Sequence, residues 1–208
     1  MSGERILLVD GHALAFRAYY ALPELNAPDG TPTNAVLGFI NMLLKIINDE
    51  APDRVVIFFD AKGETFRHEV YKEYKEGRPP APEEFKSQVL IIKELMKRFG
   101  YPVVEIEGVE ADDAIASCAH RLRETEEVLV LTADKDMLQL IKTNVKVLRP
   151  IKGVSVFKIY DEKAFKDEFG FPPSSFPDYL ALIGDKVDNI PGVPGIGPKR
   201  ASMLIQKY

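Results

Sequence analysis

Short apolar runs alternate along the chain with longer stretches whose apolar residues recur at helical spacing. RILLVD, RVVIFFD, VVEIE and VLVLTAD read as strands, and between them NAVLGFINMLLKIINDE, EEFKSQVLIIKELMKRFG and DDAIASCAHRLRE read as helices. Nearly continuous apolar strands separated by helices predict βαβ units and a buried, mainly parallel sheet, an α/β fold. Thr33 stands where the first long helix needs an N-cap, and Gly100 where the second needs a left-handed stop. VKVLRP and VFKIYD predict two more strands joined around Gly153. Beyond about residue 160 the pattern shifts to short helices and a loop rich in glycine and proline, GDKVDNIPGVPGIGPK, with Pro198 in the first turn of a last helix. The expectation is a domain over 1–172 and a helical module over 173–208. Because the chain stops soon after that last helix begins, the expectation is also of a longer natural parent.

Composition supports a packed core, with 46% hydrophobic and 28% charged residues in 208. No run approaches the ~20 apolar residues of a membrane span and no leader pattern opens the chain, so a cytoplasmic location without membrane contact is expected. The single cysteine, Cys118, has Ile115, Ala119 and Leu122 at helical spacing and reads as a core residue. A net charge of −5 argues by itself against nucleic acid, yet two bound divalent ions would bring it to about −1.

The position of the acids says more than their number. Asp10 follows ILLV, Asp60 follows VVIFF, and Asp134 and Asp136 follow VLVLT, so each group lies at a strand's carboxyl end. In a parallel sheet those ends share one edge. Glu110, Asp112 and Asp113 open the helix after VVEIE, and Asp185 and Asp188 precede the glycine-rich loop. Each acid alone reads equally well as a helix N-cap or a dipole partner. Together, like charges at one edge need neutralising, and hard cations with oxygen ligands, Mg²⁺ or Mn²⁺, do that. His12, His68 and His120 are scattered and no Cys/His set suggests zinc. Nine acids exceed what one ion requires, which predicts two metal positions of the kind that hydrolyse phosphodiesters.

Two stretches suit nucleic acid. GVPGIGPKRA has the glycine spacing of a helix-hairpin-helix loop, in which Gly192, Val193, Gly195, Ile196 and Gly197 bring backbone close to a phosphate and Lys199 and Arg200 add charge. ETFRHEVYKEYKEGRPPAPEEF interleaves Arg67, Lys72, Lys75 and Arg78 with Phe66, Tyr71 and Tyr74, a pattern for backbone charge and stacking on a single strand. Glu69, Glu73 and Glu76 lie in the same stretch, and a solvated, salt-bridged helix explains it equally well. Arg17, in GHALAFRAYY, is either a further phosphate contact or a surface arginine.

Taken in order, LVDGHALAFRAYYAL, FFDAKGETFRHEVYKEYKEGR, EADDAIA, LTADKDMLQLI and GDKVDNIPGVPGIGPK resemble the successive motifs of the 5′-nuclease domain of bacterial DNA polymerase I and, more distantly, the flap endonucleases. The resemblance implies a PIN-like domain with a helical arch at about 64–84 and a helix-hairpin-helix module. It implies that Asp10, Asp60, Glu110, Asp112, Asp113 and Asp134 serve a first divalent ion and Asp136, Asp185 and Asp188 a second. It also implies that Lys75 and Arg78 act at the scissile phosphate and that Arg67 and Tyr74 line the arch. Carbonyls around Val193 and Ile196 would hold K⁺. The implied enzyme is a monomer, fused to a polymerase region in its parent. It is a 5′-3′ exonuclease and flap endonuclease that acts on 5′ flaps, 5′ ends and RNA primers on DNA during replication and repair. A PIN-type ribonuclease and a non-catalytic DNA-binding module are the alternatives; the first needs neither arch nor hairpin, the second no acids beside phosphates. Crowded carboxylates should also destabilise the metal-free fold, with Asp134→Asn relieving part of the strain.

Overall fold

The computed structural model describes residues 3–122 and 124–208, so Arg123, at the end of one predicted helix, lies outside the described residues. Six strands form one sheet: β1 (Arg5–Asp10), β2 (Arg54–Phe58), β3 (Val103–Val104), β4 (Glu127–Leu131), β5 (Val145–Lys152) and β6 (Val156–Tyr160). Their order is β3-β2-β1-β4-β5-β6, parallel throughout except for the β5–β6 hairpin. Gly153 in that hairpin has φ 57°, as the predicted turn requires.

β1 lies in the middle, and its alternation splits the core. Leu7 and Val9 face α1 (Gly11–Ala21), α2 (Asn34–Glu50) and α4 (Glu83–Arg98), together with Phe39, Met42 and Ile92. Ile6 and Leu8 face the opposite layer, with Ile115 of α5 (Ala111–Arg121), Leu138, Phe165 of α6 (Glu162–Phe169) and Phe176 of α7 (Phe176–Ile183). Burying each such side chain contributes roughly 1.5–3 kcal/mol, which explains why the central strands are apolar on both faces. Gly11 is required where α1 leaves β1, because a Cβ there would meet the Phe59 ring at 2.5 Å.

Two predicted elements are shorter than expected. VVEIE is a strand only at Val103–Val104. It is a sheet edge with a single neighbour, Glu105 turns aside to pair with Lys93 at 2.6 Å, and the chain then reverses at Gly108 to deliver Glu110. The arch segment is helical only in α3 (Phe66–Val70) and continues as turns to Gly77 and an irregular, proline-rich run to Pro82. Pro79, Pro80 and Pro82 deny it the backbone donors and dihedral freedom of a longer helix. The last helix is α8 (Pro198–Lys207), and α7 and α8 flank the glycine-rich hairpin.

Candidate metal centre and nucleic-acid groove

The carboxyl ends of β1, β2 and β4 open into a groove of about 1280 Å³. Asp10, Asp60, Glu110, Asp112, Asp134, Asp136, Asp185 and Asp188 all line it, contributed by three strand ends, the start of α5 and the loop after α7. Asp113, the remaining acid, points to Arg67 instead.

Asp10 is the most enclosed of the set. One oxygen accepts the Ala13 amide at 3.0 Å and caps α1, and the other accepts the Thr132 hydroxyl at 2.7 Å. Burial raises its pKa to about 7, outweighing those bonds, with the charges of Asp60 and Asp134 adding to the rise. Thr132 in turn accepts the Asp134 amide at 3.0 Å, so one hydroxyl links two strand ends. Asp60 Oδ1 accepts the Ala111 amide at 2.7 Å, tying β2 to the first turn of α5. Asp112 and Asp136 are both raised to about 6, first by burial and next by a neighbouring carboxylate, Asp113 and Asp134 respectively. Asp185 and Asp188 add to the charge felt by Asp136, which is how the loop after α7 joins the sheet edge. An isolated bridge between Asp185 and Ile190 holds that loop, with Gly184 and Gly192 in such contact that a Cβ on Gly184 would lie 2.3 Å from the Gly192 nitrogen.

Both roles weighed for these acids are therefore realised at once: Asp10 and Asp60 satisfy helix N-termini and still face the groove. Among the described residues no three acids or imidazoles stand close enough to form a ready-made ion cage. The donor set nonetheless fits hard divalent ions. It is made of carboxylates, like charges raise one another's pKa, and the buried Asp136 Oδ1 and Asp188 Oδ1 have no hydrogen-bond partner. Arg78 Nη2 lies 3.2 Å from Asp188 Oδ1, within ion-pair range, but the angles are not those of a hydrogen bond, so that oxygen's directional demand is unmet.

The segment over the groove brings the predicted basic residues onto the acids. Lys75 Nζ donates to Glu110 at 2.9 Å, and Arg67 is bidentate on Asp113. Tyr74 lines the groove but is buried, its hydroxyl donating to Glu110 at 3.2 Å. Arg17 lines the groove with Nε donating to the Gly153 carbonyl at 3.2 Å. The hairpin residues Gly192, Val193, Gly195, Ile196, Gly197, Lys199 and Arg200 lie away from the groove lining. Gly197 is the N-cap of α8, Arg200 donates to the Gly195 carbonyl at 2.9 Å, and Gly195 has φ 78°.

Sequence reasoning gave no role at the site to His12, Thr65 or Thr132, and gave Tyr71 a stacking role. His12 accepts the Asp60 amide at Nδ1, 3.2 Å away, and burial lowers its pKa. Thr65 reaches Glu110 at 3.3 Å, and Tyr71 donates to the Asn189 carbonyl at 3.0 Å. His12 and Thr132 each sit two residues from a predicted acid, but a lone hydroxyl or imidazole carries no periodic signal. Cys118 packs against the core as expected.

Residues 5–170 match the family model "5′-3′ exonuclease, N-terminal resolvase-like domain", and 171–208 match "5′-3′ exonuclease, C-terminal SAM fold". A 5′-3′ exonuclease of Aquifex aeolicus is 41% identical over 98% of this chain and 69% of its own length. The thermostable DNA polymerase I of Thermus aquaticus is 44% identical over 98% of this chain, which spans 24% of that protein. Among solved structures, the T5 D15 protein co-crystallised with metal ions superposes with a TM-score of 0.79 at 24% identity, covering 98% of this chain and 75% of the other. The D15 flap endonuclease in a pseudo-enzyme-product complex with DNA and metal ions gives 0.77 at 23% identity, over 98% and 75%. These likenesses show a shared fold. Among the described residues no helix is long and apolar enough to cross a membrane.

Proposed function

The chain belongs to the 5′-3′ exonuclease family, and from that premise we propose that it is a structure-specific, metal-dependent 5′-nuclease. On this reading it cuts DNA near the base of a 5′ flap or at a duplex 5′ end and removes RNA primers in the cytoplasm as part of a DNA polymerase I. The observation that carries the reading is the convergence of eight carboxylates from separate elements on one groove, two of them with a buried oxygen lacking a hydrogen bond. Asp10, Asp60, Glu110, Asp112, Asp113 and Asp134 would serve one Mg²⁺ or Mn²⁺, and Asp136, Asp185 and Asp188 a second. When bound, such ions supply water activation and neutralise charge on the leaving oxygen.

The chain's own residues would do the rest. Arg17, steadied by the Gly153 carbonyl, presents its remaining guanidinium donors to a phosphate beside Asp10. Lys75 and Arg78 hold charge over the groove, where the scissile phosphate would lie. The open backbone of Gly197 and the first turn of α8, with Lys199 and Arg200, would receive a phosphate of the duplex, and K⁺ would sit at the carbonyls around Val193 and Ile196. These contacts read shape and strand ends rather than base edges. The division into a nuclease domain over 1–172 and a DNA-binding module over 173–208, acting as a monomer, belongs to the same proposal.

The test is cleavage of a 5′-labelled flap duplex. Cutting near the junction is expected with Mg²⁺, and none with chelator or with Asp134→Asn in Mg²⁺. Equal cutting in chelator would refute the metal reading, and a preference for structured RNA over the flap would favour a PIN-type ribonuclease.

A further inference from the structure

Apart from the Phe66 amide on the Gly108 carbonyl, the hydrogen bonds and ion pairs of the segment 65–78 with the rest of the molecule end on, or beside, one of the nine acids. Glu110 Oε2 accepts Lys75 Nζ at 2.9 Å and the Tyr74 hydroxyl at 3.2 Å, with Arg67 Nη1 at 4.0 Å, and Glu110 Oε1 accepts the Thr65 hydroxyl at 3.3 Å. One carboxylate is thus filled by four groups of one segment. Arg67 takes Asp113 with two donors, and its guanidinium lies 4.9 Å from the Phe66 ring centre. On the far side Arg78 pairs with Asp188 at 3.2 Å, and the Lys75 amide donates to the Asp188 carbonyl at 3.0 Å. Asn189 donates to the Glu73 carbonyl at 2.9 Å and accepts from Tyr71. The segment therefore straps the start of α5 to the loop after α7.

Lys75 adopts left-handed backbone, φ 58°, which side chains other than glycine rarely adopt, and so does Asn189, φ 57°, where asparagine is better tolerated. The contacts that hold the strap down are mainly charged, α3 has no buried residue, and Tyr74 is the buried side chain of the segment. A segment attached by ion pairs and strained at its anchor comes away when its counter-charges are taken.

We propose that the strap is a cation-displaced latch: Lys75, Arg67 and Arg78 act as internal counter-ions for Glu110, Asp113 and Asp188, and divalent ions entering the groove compete for the same carboxylates and release the strap. This rests on the proposed metal role of the acids and goes beyond it in coupling metal occupancy to the strap's position. It also accounts for the lack of a preformed ion cage among the described residues, since Glu110 and Asp113 are turned to the strap. Coupling of this kind is reciprocal: the factor by which bound ions weaken the strap's hold is the factor by which the closed strap weakens ion binding, so loosening the strap strengthens ion binding up to that factor. The released Lys75 and Arg78 are then free to meet a phosphate, so that the strap opens only over a charged site.

The test measures metal affinity and strap protection on the same protein. Mg²⁺ is titrated calorimetrically into the chelator-treated protein while hydrogen exchange is followed in peptides covering 66–82. Exchange there should rise with occupancy, and the double variant Arg67→Gln/Lys75→Gln should exchange fast without Mg²⁺ and bind it roughly fivefold or more tightly. Losing positive charge near acids raises cation affinity by Coulomb attraction alone, so Lys135→Gln is the control: Lys135 is exposed, acts electrostatically on Asp136 and makes no strap contact. It should tighten Mg²⁺ modestly and leave strap exchange unchanged. Saturable Mg²⁺ binding with strap exchange constant or slowed overturns the latch and leaves the metal site standing. No Mg²⁺ binding in either protein overturns both.

Discussion

Asp10 shows how a single residue can carry the cost of a site. It is almost wholly buried between two neutral donors, and its pKa of about 7 means that the folded, metal-free protein holds a proton there which the unfolded chain, near 3.8, releases earlier. Stability from such a group is present below the unfolded value and lost as pH rises through the folded one, so the loss falls between about pH 4 and 7. Asp112 and Asp136, each near 6, act in the same direction over the lower part of that window. The melting temperature in chelator should therefore fall as pH is raised from 5 to 7.5, and saturating Mg²⁺ should restore it at pH 7.5 far more than at pH 5. Asp10→Asn should stabilise the chelated protein at pH 7.5 by about 1–3 kcal/mol while removing Mg²⁺-dependent cleavage. A flat pH profile in chelator would refute the burial argument. The sequence reading expects strain at the acidic edge and looks to Asp134 for part of its relief; Asp134 is exposed, but its charge adds to the rise at Asp10 and Asp136. The burial that dominates at Asp10 is not legible, because strand ends can be read from apolar runs whereas the depth of one carboxylate depends on the hydroxyl of Thr132 arriving from beside another strand.

At the scale of elements, periodicity revealed what lies over the sheet and failed where chain direction is set by local partners. β1, β2 and β4 and the helices between them are written in apolar spacing, which is why three strand-end acids could be assigned to one edge. The strap is written in charge and proline, a pattern shared by solvated helices and by segments pinned through ion pairs, and only the positions of Glu110 and Asp188 decide between them. The hairpin between α7 and α8 shows the same division within one motif. Gly184 and Gly192 are glycines because their backbones touch, whereas a Cβ on Gly197 would meet nothing within 4 Å, and its φ is −99°. Gly197→Ala should lower the melting temperature by only about 2–4 °C, the cost of a poorer N-cap, since neither strain nor clash opposes it. If the space in front of α8 receives a phosphate, the same substitution should weaken duplex binding by about 1 kcal/mol, roughly fivefold in Kd, with Mg²⁺ affinity unchanged. Undiminished duplex binding by Gly197→Ala would move the phosphate contact elsewhere on the hairpin.

Across the whole molecule, the change in sequence character near residue 172 invites division into two parts, but the core runs through it. Phe165 and Phe169 of α6, Phe171, and Phe176 and Tyr179 of α7 form one aromatic group, with Phe165 and Phe169 stacked at 4.5 Å and Phe165 set edge-on to Phe176 at 5.2 Å. The same cluster takes in Ile6 and Leu8 of the central strand and Ala201 of α8. Composition shows where the local pattern changes, but it cannot show that the aromatic residues on either side of the change meet. A shared core of this kind predicts cooperative unfolding, because neither side can expose its half without stranding the other. Phe176 is about 1% exposed, so Phe176→Ala should cost roughly 3–5 kcal/mol. It should lower a single calorimetric transition rather than melt residues 173–208 ahead of the sheet, and hydrogen exchange should speed up together in β1 and α8. Two separate transitions, with β1 still protected after α8 has exchanged, would instead mean that the helical module folds on its own and that Asp185 and Asp188 reach the groove as visitors from an independent unit. Under cooperative unfolding, the loop carrying those two acids is held at the sheet edge by the same packing that sustains the fold, and mutations in the aromatic group should leave Mg²⁺ affinity unchanged until the unfolded fraction becomes appreciable.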